Sequence, residues 1–136
     1  ICTAWADEYG LTEEQMAKLS SCFGGGIGRM RKTCGAACGM FILLGLKEGN
    51  SVPGDKDAKA ANYAVVQRLA REFAKRNGGS IECSELLKMG GVATTTHYQP
   101  DERTAQYYAK RPCPHIIEEA ARIWAEYESG NLRDDE

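Results

Sequence analysis

The sequence predicts an all-α protein, a compact bundle of five or six helices around a central Cys-Gly-Ala-x-x-Gly helix. Three observations lead there. Apolar residues recur at three- and four-residue spacing in several segments, as they do along one face of a helix. Ser, Thr, Asp, Gly and Pro stand where those segments would start and stop. Between these signals the chain is rich in helix-forming residues.

In chain order, residues 1–9 read as the end of a helix, with Ala4, Trp5 and Tyr9 apolar and Gly10 as the stop. Thr12 and Gln15 form a capping-box pair, each side chain satisfying a free backbone N–H at the other. Leu11, Met16, Leu19 and Phe23 supply the apolar stripe of that second segment, which breaks at Gly24-Gly25-Gly26. Thr33 is the expected N-cap of the central helix, which runs through Cys34, Ala37, Cys38, Phe41 and Leu44 towards Gly49. Its first turns are small and its later ones large. Apolar residues on nearly every face predict burial.

Pro53-Gly54 marks a turn, after which Asp55 leads a long amphipathic helix with Ala58, Ala61, Val65, Leu69 and Phe73 on one face. Gly78-Gly79 end it, and Ser80-Ile81 bring the chain to Cys83 and a turn or two through Leu87. Met89 to Gln99 reads as a loop. Asp101 is expected to cap a helix through Tyr108, and Pro114 suits the first turn of the last helix. That helix shows Ile117, Ala120, Ala121, Trp124 and Tyr127 at helical spacing. Residues 1–129 are expected to form one domain, and 130–136 an acidic tail that frays.

Composition bounds the function. The chain has 136 residues, 43% of them apolar and 26% charged, the balance of an ordinary globular domain. A net charge of −2 gives no electrostatic case for nucleic acid or an anionic membrane surface. The apolar stretch from Gly39 to Leu46 is far too short to span a bilayer, so membrane insertion is not expected. No secretory signal is visible, and because the chain opens on Ile1 rather than Met, a signal removed by trimming stays an open expectation.

Six cysteines stand out: Cys2, Cys22, Cys34, Cys38, Cys83 and Cys113. A chain with enough apolar residues for a core does not need staples, so thiols at this density point to use in chemistry. Free thiols in such number fit a reducing cytoplasm. Cys34 is the sharpest candidate. It opens the central helix just after Arg29, Arg31 and Lys32, and both a helix N-terminus and nearby cations lower a thiol pKa. Cys38 lies one turn on, which permits a chelate or local redox pair but equally a packed thiol. Cys2, Cys83 and Cys113 sit at element ends, where ligands of a four-thiolate site would come from. Their spacing is neither that of a zinc ribbon nor that of a ferredoxin.

Other motifs carry less. Gly24 to Arg29 invites a phosphate-loop reading, but no strand precedes it and no Gly-Lys-Ser/Thr follows. His115, two positions after Cys113, reads as a solvent-facing residue rather than a ligand, and His97 lies in the polar loop. Glu118, Glu119, Glu126 and Glu128 read as a solvated helix face.

Taken together, the residues resemble the C_GCAxxG_C_C family, named as redox-active. Cys34-Gly35-Ala36-Ala37-Cys38-Gly39 fits its Cys-Gly-Ala-x-x-Gly motif, and Phe23 to Arg29 resembles the glycine-rich element before it. Cys2-Thr3-Ala4 matches an early cysteine, Ser80 to Leu87 the third cysteine region, and Cys113 the fourth. The resemblance covers nearly the whole chain. It implies that Cys2, Cys34, Cys83 and Cys113 are the shared four, with Cys22 and Cys38 additional. Similar domains stand beside haem-binding modules in some proteins, which suits electron transfer.

The expected function is therefore redox chemistry or electron transfer with a partner protein. Cys2, Cys34, Cys83 and Cys113 would ligate an iron–sulfur cluster. Alternatively they cycle between thiols and disulfides without a cofactor, Cys34 attacking as a low-pKa thiolate and Cys83 among the residues that resolve it. A reading from another class is a non-catalytic binding module with a structural zinc on the same four thiols.

Overall fold

The computed structural model describes residues 1–134. Among these residues it is all-α, with six helices: α1 (Glu13–Ser20), α2 (Gly35–Glu48), α3 (Lys56–Arg76), α4 (Cys83–Met89), α5 (Ala105–Ala109) and α6 (Cys113–Glu128). Among the described residues the only extended pairing is one isolated antiparallel bridge, Thr33 with Glu82. The N-terminal segment, expected as one helix, is two short 3-10 turns, Cys2–Trp5 and Asp7–Tyr9, stopped at a left-handed Gly10. The Thr12–Gln15 capping box forms in both directions, at 3.1 and 2.9 Å.

Helix α2 is the centre. Ala36, Ala37, Met40, Leu43 and Leu44 are buried in it, and α3, α6 and the N-terminal turn pack around it. Burial of α3 is confined to its second half, where Leu69 and Phe73 are fully enclosed while Ala61 stays exposed. In α6 the buried set is Ile116, Ala120, Ile123 and Trp124; Ala120 and Trp124 belong to the expected stripe, while Ile117 is exposed. Leu19, expected on the α1 stripe, also faces solvent, leaving Met16 as the buried residue of that helix. Ile117 sits next to Ile116, which takes the core position instead, because an apolar run fits several helical phases.

Two caps differ from expectation. Thr33 lies in the bridge, its hydroxyl donating to Glu82 at 3.3 Å, so Cys34 becomes the N-cap of α2. Thr104 rather than Asp101 caps α5, accepting from the Tyr107 N–H at 3.1 Å. Of the acidic tail expected to fray, Leu132 is buried in the core and its carbonyl accepts from Arg68 at 2.6 Å. Asp134 pairs with the same guanidinium. Residues 135–136 lie outside the described residues.

Candidate functional site

The glycine-rich segment before α2 has an unusual backbone. φ is positive at five successive residues, Gly25 to Arg29, and again at Arg31. A left-handed turn is costly for residues with a Cβ, yet Ile27, Arg29 and Arg31 all adopt it. Backbone bonds hold it: Arg29 N–H donates to Gly24, Arg31 to Gly25 and Lys32 to Gly26. Gly26 is indispensable there, since a Cβ on it would lie 2.5 Å from the Cys83 Cβ and 2.8 Å from the Lys32 nitrogen.

The motif glycines of α2 do the same for other segments. A Cβ on Gly35 would meet the Phe23 carbonyl oxygen at 2.6 Å. One on Gly39 would meet Ile1 at 2.5 Å and the Cys2 Sγ at 3.4 Å. Cys2 Sγ itself donates to the Gly39 carbonyl at 3.4 Å. Small residues at these points let three cysteine-bearing segments reach the same end of α2. The start of α4 is pinned similarly, with Cys83 N–H donating to Lys32 at 2.6 Å and Cys34 N–H to Ile81 at 2.7 Å.

The result is one cavity of about 320 Å³ lined by Cys2, Cys34, Cys83 and Cys113 together. Each thiol comes from a different element: the first 3-10 turn, the start of α2, the start of α4 and the start of α6. The cavity's charged lining is cationic, namely Arg29, Arg31, Arg103 and Arg111, with Ser20 and Tyr107 as neutral polar neighbours, and among the described residues no carboxylate lines it. Arg31 is buried, donating through Nε to the Thr95 carbonyl at 3.1 Å and aiming a terminal nitrogen at Cys83 Sγ, 3.7 Å away. Cys22 and Cys38 do not line the cavity. Cys22 is exposed, and Cys38 is buried with its thiol directed at the Thr33 carbonyl. Neither His97 nor His115 reaches it, and both are exposed.

The electrostatics correct one expectation. Burial pushes the Cys34 thiol up to about 11, against the opposing pull of the Ala36 and Ala37 amides. Neighbouring Cys83 and Cys113 raise it further. Cys34 is therefore not a low-pKa thiolate in this state, because Arg31 turns to Cys83 and desolvation outweighs the helix end. Burial also raises Cys2 and Cys113, Cys113 being partly offset by Arg111 and Arg31. All six cysteines are free thiols.

The match to family models decides the class. Residues 1–127 match the family described as "Putative redox-active protein (C_GCAxxG_C_C)". The chain belongs to this family. Comparison with curated proteins and with solved structures finds no match. For a C_GCAxxG_C_C protein the cavity is the natural candidate site, since the four cysteines that the sequence resemblance groups are the ones that line it.

A single metal ion and a polynuclear cluster make different demands on this site. Among the described residues no three Cys, His, Asp or Glu side chains are grouped closely enough to hold one metal ion. A mononuclear zinc site would need every sulfur about 2.3 Å from one point, closer than these side chains stand without moving. Four thiols around a shared cavity are the donor type an iron–sulfur cluster takes, and Arg31 aims a cationic donor at one of them. Arg103 and Arg111, both between Cys83 and Cys113, were missed in the sequence, because arginines scattered along a chain carry no mark of convergence.

Proposed function

We propose that this chain is an electron-transfer protein in which Cys2, Cys34, Cys83 and Cys113 hold an iron–sulfur cluster. One observation carries the reading: four thiols from four elements line one cavity whose only charged lining, among the described residues, is arginine. The cluster would supply one-electron chemistry, and the protein would set its potential. Thiolates in a cavity need positive partners. Arg31 supplies a donor to Cys83, and Arg111 lowers the cost of charge on Cys113. Either use draws on the thiolate: exchange attacks with it, and a bound metal displaces the thiol proton.

Anaerobic purification followed by absorbance and iron and sulfide analysis tests the reading. Bound iron and sulfide, lost in Cys34→Ser and Cys83→Ser but retained in Cys22→Ser and Cys38→Ser, is the expected result. A colourless, metal-free protein whose four cavity thiols oxidise reversibly in pairs would overturn it in favour of dithiol cycling. Stoichiometric zinc with loss of fold on chelation would overturn it in favour of a structural site.

A further inference from the structure

The arginines on the cavity exceed what the thiols engage. Arg29 is 12% exposed and Arg111 is 11% exposed at the side chain, so both guanidiniums are nearly enclosed. They share a single carboxylate, Asp101, at 3.8 and 3.5 Å, and that carboxylate is itself 53% exposed and outside the lining. Arg29 Nε is buried with no hydrogen-bond acceptor. A buried, unpaired donor on a charged group is expensive to keep. Arg103 adds a third guanidinium, exposed and held against Tyr107: its centre is 4.9 Å from the ring and its NH1 donates to the hydroxyl at 3.0 Å. Arg111 stacks on the same ring at 4.2 Å. Arg103 and Arg111 thus meet on one aromatic ring, and Arg111 and Arg29 on one half-exposed carboxylate. The left-handed backbone at Arg29 is a further cost accepted to present that side chain here.

We infer that Arg29, Arg103 and Arg111 form a binding site for a small inorganic oxyanion on the same cavity as the four thiols. Planar guanidiniums donate in pairs to oxyanion edges, and an enclosed cation pair with an unfilled donor is what such a ligand would complete. Tyr107 and Asp101 hold the arginines in place, acting as positioning residues. The inference deepens the proposed redox function by naming its substrate class, an oxyanion placed beside the electron-carrying site. Only that purpose rests on the redox reading; the binding itself does not.

Sulfate, redox-inert and of the right shape, is the probe. Calorimetric titration at constant ionic strength, with chloride as the control, is run on the metal-free and the metal-loaded full chain. Saturable sulfate binding to both forms is expected, weakened about tenfold or more by Arg29→Gln, the loss of one charged hydrogen-bond donor. Arg103→Gln, on an exposed side chain, keeps the fold and is expected to weaken binding several-fold. Equal heats for chloride and sulfate would overturn the site, as would binding confined to the metal-free form, since the anion would then be occupying the cluster's own space. The titration involves no electron transfer, so its failure leaves iron content and redox behaviour untouched. Absence of iron would sink the proposed function without affecting sulfate binding.

Discussion

Arg31 and Cys83 meet across 52 positions of sequence, with the guanidinium NH1 3.7 Å from the sulfur. The same side chain ties down the irregular segment after α4 through the Thr95 carbonyl. Arg31 therefore links the glycine-rich turn, the third thiol and the loop that follows it.

Arg31→Met removes both bonds while keeping an unbranched, buried side chain. Stability is expected to fall by roughly 2 kcal/mol, the typical cost of losing a charged hydrogen bond. Limited proteolysis within residues 90–104 should accelerate. Unchanged cleavage there would show that the loop is held by other contacts.

Gly26 and Gly28 separate two kinds of strain. Both have positive φ, 72° and 59°, but only Gly26 has neighbours that an added Cβ would strike. Gly28→Ala is expected to cost about 1 kcal/mol, the left-handed penalty alone. Gly26→Ala should cost about 3 kcal/mol and should disturb alkylation of Cys83, whose Cβ it would displace. Urea denaturation measures the difference.

Cys34 titrates late in the metal-free protein. Its pKa is raised from an ordinary 9.0 to about 11. Between those values the unfolded chain has lost the proton and the folded chain keeps it, so stability falls as pH rises. The contribution is complete below about 9 and gone above about 11. Alkylation of Cys34 by iodoacetamide should accordingly stay slow at pH 8 relative to the exposed Cys22. Equal rates would contradict the burial that raises it.

The tail is part of the core. Leu132→Ala should cost about 3 kcal/mol, as for other buried leucines. Truncation after residue 129 should cost at least as much, because Arg68 also loses its carbonyl and carboxylate partners. Thermal unfolding compares the two. A truncation with unchanged midpoint would return the segment to solvent.

Helix content, the capping box at Thr12, the Asp55 cap and the buried central helix were legible in the sequence because they depend on neighbours within a few residues. Four-residue spacing and cap chemistry act at that range. The cysteine grouping was legible only as a family pattern, since spacing alone favoured Cys34 with Cys38. In the tertiary structure the Cys38 thiol turns towards Thr33, while Cys34 opens onto the cavity shared with Cys2, Cys83 and Cys113. Tertiary structure also raises the proton affinity of Cys34. Local sequence set a helix end and three cations beside it, but desolvation depends on what packs over the sulfur, and no short window of sequence contains that. The arginine wall belongs to the same class: Arg29, Arg103 and Arg111 acquire a common meaning only once folding brings them to one cavity.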